Sequence, residues 1–177
     1  MIVNAYDVAV SLANTRFKGA TWGEVNCTEF VEAVLTEQIR AAMSDPTFRL
    51  PVAVMRRLHV SDVSPADLPA MILSGCVRAG GVASAIVIGS WGWWVAPANA
   101  QRSDYAQWWR RGFDGKWEGH AFIVEDAEVA KSAGGVVTCR AYGAHRSLNG
   151  IGTHPKRFAL SGGPDRRVYL ARVKLGG

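Results

Sequence analysis

Two residues in this chain of 177 have the type and setting for nucleophilic chemistry at a carbonyl. Cys27 stands at the first position of a predicted helix, where unpaired backbone amides and the positive end of the helix dipole favour a thiolate. A cysteine nucleophile also needs a base, usually brought from elsewhere in the chain. His120 opens an apolar run, Gly119-His120-Ala121-Phe122-Ile123-Val124, and by period-2 alternation shares a strand face with Phe122 and Val124. Gly119 is expected to leave space beside the ring for a substrate backbone. His59, after two arginines, and His154, before a proline, read as surface residues. A helix-start cysteine alone is more often packing, and a strand-edge histidine alone more often a structural hydrogen-bonder. The pair in this order is the more specific signal.

The elements that must position them follow from pattern. Asn4 to Phe17 carries apolar residues at helical spacing, closed by Gly19. A second helix opens at Asn26-Cys27-Thr28-Glu29, with Asn26 as N-cap and Glu29 as the capping-box acid. Four prolines interrupt residues 44–69, leaving short helices around Val52–Leu58 and Ala66–Leu73. The second half reads as strands: 85–88, Tyr105–Trp109, Gly119–Glu125, Val136–Tyr142 and Arg167–Val173, with Gly134-Gly135 as a turn. Helices first and strands later predict one α+β domain over residues 1–177, with helices packed on a mainly antiparallel sheet. No glycine-rich phosphate loop accompanies it.

Asn26-Cys27-Thr28-Glu29-Phe30-Val31, followed by Gly119-His120-Ala121-Phe122-Ile123-Val124, resembles the NlpC/P60-type branch of the papain-like cysteine peptidases. That branch includes CHAP amidases and secreted peptidoglycan amidase effectors. Glu29 stands where many members have glycine. Ser103-Asp104-Tyr105-Ala106-Gln107-Trp108-Trp109 is similar to the block preceding the family histidine, without its proline and glycine. The resemblance spans residues 22–35 and 103–152 and leaves 36–102 unmatched. It implies a papain-like fold and a Cys27–His120 catalytic pair meeting on one side of the sheet. A third polar residue on the next strand would orient the imidazole. His145 is the nearest of the family's types, with Tyr142, Cys139 and Asn149 as rivals. The implied reaction is amide cleavage in a peptidoglycan peptide through a thioester, with no metal or organic cofactor. A cognate inhibitor protein is an allowed partner.

Composition bounds these expectations. No apolar run reaches eighteen residues, so no membrane span is expected, and the N-terminus lacks a classical secretory signal. The protein is expected to work in the cytoplasm, or outside it by a route that needs no cleaved signal. Three widely spaced cysteines make no disulfide scaffold. Cys76 reads as a small core residue and Cys139 as a structural thiol. Net charge is +5, yet residues 129–177 hold nine Lys/Arg against Asp165 alone. No nucleic-acid-binding signature accompanies that basic quarter. Six of the seven tryptophans fall between Trp91 and Trp117. Together with the basic quarter they support the alternative of a non-catalytic cell-wall or glycan-binding module.

Overall fold

The computed structural model describes residues 4–60, 63, 64, 66–129 and 136–174. The Gly134-Gly135 turn lies outside them. Five α-helices, α1 (Ala5–Asn14), α2 (Cys27–Met43), α3 (Val52–Leu58), α4 (Leu68–Leu73) and α5 (Gly81–Ile88), lie in the first half. Strands β1 (Gly92–Trp94), β2 (Tyr105–Arg111), β3 (Trp117–Val129), β4 (Val137–His145), β5 (Gly150–Thr153), β6 (Phe158–Ala159) and β7 (Arg166–Val173) follow. They form one antiparallel sheet in the order β1-β7-β2-β3-β4-β5, with β6 paired to β4. The α+β expectation therefore holds.

α2 begins where its cap dictates. The Asn26 side chain accepts from the amides of Thr28 and Glu29, and the Glu29 carboxylate accepts from the Asn26 amide. Phe30, Val31, Val34, Leu35 and Ile39 then bury one face. Each contributes roughly 1.5–3 kcal/mol on burial, so tertiary packing holds this helix more than propensity does.

Alternation sorts the sheet into two faces. Tyr105, Ala121, Ile123, Tyr142 and Ala144 pack with α1, α2 and α5 in the larger core. Ala106, Phe122, Val124, Cys139 and Ala141 form a second core on the other face, closed by Val95, Phe158 and Leu160. β3 and β4 pair from Val129–Val137 to Ile123–Tyr142 and stop there, with a register shift between Val124 and Asp126. Beyond that point β4 continues on β5 alone, through His145. The β3–β4 ladder thus ends before the level of His120 and His145, which meet there through their side chains.

The expected strand at 85–88 is instead the end of α5. Six of the eight residues of that helix are buried, so its sequence carries no polar stripe to mark a helical period. β1, β5 and β6 were not anticipated: each has two to four residues, too few for a periodic signal. Among the described residues, no helix is long and apolar enough to cross a membrane.

Candidate active site

Cys27 is the first residue of α2 and is half-buried, its backbone beside the amides that the Asn26 cap leaves at the helix start. Burial pushes its thiol up. The Ala121 backbone, the Thr28 side chain and amide, and its own amide pull only part of the way back. Desolvation thus opposes the thiolate that the helix start favours.

His120 lies within β3, opposite Trp108 of β2. Its ring packs 5.5 Å from Phe122 and stacks on Phe158 at 5.8 Å. Its Nε2 lies 2.8 Å from Nδ1 of His145, the last residue of β4. His145 is 2% exposed. Burial drives both imidazoles toward the neutral form, His120 well below the ordinary histidine range and His145 to about 4. The neighbouring His154 adds to the depression of both.

One proton lies between His120 Nε2 and His145 Nδ1, and either ring can donate it. The carbonyls of Ala141 and Gly152 favour a proton on His145, while His145 Nε2 makes no hydrogen bond among the described residues. In the tautomer that carries the shared proton on His120 Nε2, His120 Nδ1 is the basic nitrogen.

The expectation that thiol and imidazole share one side of the sheet is not met. Cys27 packs with the helix-side core that contains Ala121, whereas the His120 ring sits among Phe122 and Phe158 of the other core. Among the described residues, no hydrogen bond joins the sulfur to an imidazole. Both residues nevertheless border one cleft of about 320 Å³ with Thr28, Leu58, Gln107 and Trp109. A second cleft, of about 400 Å³, lies across His120 and is bordered by Trp22, Trp108, His145, Arg146 and His154.

Of the rivals to His145, Tyr142 packs on the helix side against Tyr6 and Phe30. Asn149 occupies a left-handed turn at φ 48°. Cys139 is buried in the second core with its thiol pushed up to about 12. The space expected beside Gly119 is filled by the Trp109 ring, which would stand 2.5 Å from a Cβ there. Cys76 is exposed, not a core residue. His59 pairs with Glu32 at 3.0 Å.

His154 is half-buried rather than a surface residue. Its ring lies 5.0 Å from that of His145, and its Nδ1 accepts from the Lys156 amide. Strand periodicity gave it no mark, because it follows β5 in a loop. Gln107 and Trp22, which also border the clefts, were not singled out. Gln107 had a readable signal, alternating with Tyr105 and Trp109 on one face of β2.

Charge along the chain overstates charge in space. Arg140 and Arg157 pair with Asp126, and Arg172 with Asp104, all acids from outside the basic quarter. Among the described residues, no group of His, Cys, Asp and Glu has the arrangement to hold a metal ion. Comparisons with family models, with curated proteins and with solved structures found no match to this chain.

Proposed function

We propose that the chain is a cysteine-dependent amidase or endopeptidase acting on amide bonds of bacterial cell-wall peptides. The reading is carried by one observation: Cys27 and the neutral, His145-supported His120 border the same cleft. In the proposed cycle, the Cys27 sulfur attacks the amide carbonyl and its proton passes to His120 Nδ1. The C–N bond breaks, His120 returns that proton to the departing amine, and a thioester remains on Cys27. Water, deprotonated by His120, then releases the acid and the free thiol. The backbone amide of Cys27 would supply part of the oxyanion site. Because no hydrogen bond joins thiol and imidazole among the described residues, this cycle requires substrate binding to bring them into line.

That same separation favours a second reading, a non-catalytic glycan- or peptide-binding module. Its surface would be the aromatic and cationic cleft of Trp22, Trp108, Arg146 and Phe158. Purified peptidoglycan and its soluble peptides separate the two. Catalysis predicts new amines without new reducing ends, abolished in Cys27→Ala while wall binding persists. Binding without amine release by the wild type refutes catalysis and leaves the module. New reducing ends refute both readings in favour of a glycosidase.

A further inference from the structure

The cleft beside Cys27 has a chemical character of its own. Leu58, Val60, Val63, Leu68 and Trp109 wall it, and none of its described lining residues carries a formal side-chain charge apart from any proton on His120. The indole of Trp109 is fixed by donation to the Ala79 carbonyl at 2.7 Å. Besides Cys27, Thr28 and His120, the cleft is bordered by the polar side chain of Gln107. Gln107 is 5% exposed, and its carboxamide makes no hydrogen bond among the described residues, its backbone being paired in the sheet. Its carboxamide reaches this position only because residue 81 is glycine: a Cβ there would stand 2.5 Å from Gln107 Oε1. A carboxamide without a protein partner at the mouth of an apolar cleft is available to hydrogen-bond a ligand seated there.

We propose that this cleft seats the acyl side of the substrate and selects an uncharged, apolar acyl group, with Gln107 hydrogen-bonding an amide adjoining it. The proposal rests on the thiol chemistry assigned to Cys27 and narrows its substrate class to peptides with an apolar residue on the acyl side. The volume, about 320 Å³, is at the lower end of small-molecule sites and suits one such side chain. A carboxylate on that side would be desolvated without a cation to meet it. Charged parts of the substrate fall instead to the second cleft, which offers Arg146, Glu118 and His154.

Alkylation tests the selectivity without requiring catalysis. Intact protein is treated with iodoacetamide, its N-butyl and N-hexyl derivatives, and iodoacetate. In each reaction an S–C bond forms, the C–I bond breaks, and iodide and the thiol proton leave. Peptide mapping follows Cys27, with the exposed Cys76 as internal reference. The Cys27:Cys76 rate ratio should rise roughly three- to fourfold per methylene until the cleft is full, and iodoacetate should be at least about tenfold slower than iodoacetamide. Gln107→Leu should keep the chain-length dependence and slow the amide reagents roughly five- to twentyfold. Leu68→Asp should flatten the dependence. A ratio independent of chain length, or a preference for iodoacetate, overturns the proposal. His120→Ala should leave the chain-length dependence intact. Selectivity without peptidoglycan cleavage would support this cleft and refute the amidase; cleavage with flat selectivity would do the reverse.

Discussion

Mild acidification should destabilise the fold through its buried histidines. In the unfolded chain a histidine titrates near ~6.5, whereas burial holds His145 at about 4 in the fold. Between those values the unfolded chain binds a proton that the folded chain refuses, so stability falls as pH falls. It is full above ~6.5, declines through the interval, and levels off below the folded value. Each pH unit corresponds to about 1.4 kcal/mol per such group, so His145 alone should remove about 2 kcal/mol by pH 5. His120 acts in the same direction, because burial and the two neighbouring imidazoles also oppose its protonation. Against a typical total of ~5–15 kcal/mol, the loss is easily measured. Asp126, held below the usual carboxylate range mainly by Arg157 and Arg140 against its own burial, keeps its contribution across this window and loses it only at lower pH. Urea unfolding followed by tryptophan fluorescence at pH 7.5, 6.5, 5.5 and 5.0 measures the slope, and His145→Gln should reduce it. Equal stability at pH 7.5 and 5.0, or a His145 ring that titrates near 6.5 by NMR, would refute the assigned burial and pairing.

Two further outcomes test the scaffold that holds the site. Asn26→Ala removes the acceptor for two amides of α2 and should cost about 1 kcal/mol in chemical denaturation; an unchanged midpoint would mean the capping box does not hold the helix start. Asp104→Ala removes the two contacts that the Arg172 guanidinium makes with that carboxylate, at 2.7 and 3.0 Å, leaves it the Asn99 carbonyl, and should cost roughly 2 kcal/mol. A loss below about 1 kcal/mol would show that Arg172 finds water or Gln101 instead.

The elements legible in the sequence are those whose local chemistry and tertiary role agree. α2 is the clearest: its cap, its first-turn acid and its apolar stripe all specify one start and one buried face. α5 is the opposite case. Enclosed on nearly all sides, it has no polar face to reveal its period, and β-branched Val82, Val87 and Ile88 suit a strand equally well. Asp104 shows a third kind of limit. The sequence marks an acid ahead of an apolar strand, but only the fold brings Arg172 from β7 to meet it. Part of the basic quarter is spent in the same way: Arg140, Arg157 and Arg172 meet acids that are distant in sequence and near in space.

Alternation in His120-Ala121-Phe122-Ile123 puts Ala121 and Ile123 on one face and His120 and Phe122 on the other. The two cores follow it: Ala121 and Ile123 pack with α2, and Phe122 lies in the second core. The β3–β4 ladder ends at Ile123–Tyr142, so the stretch of β3 that borders the Cys27 cleft, residues 119–121, pairs with β2 but no longer with β4. The acyl transfer proposed for this site therefore depends on how that stretch presents His120 to the cleft as much as on the three side chains themselves.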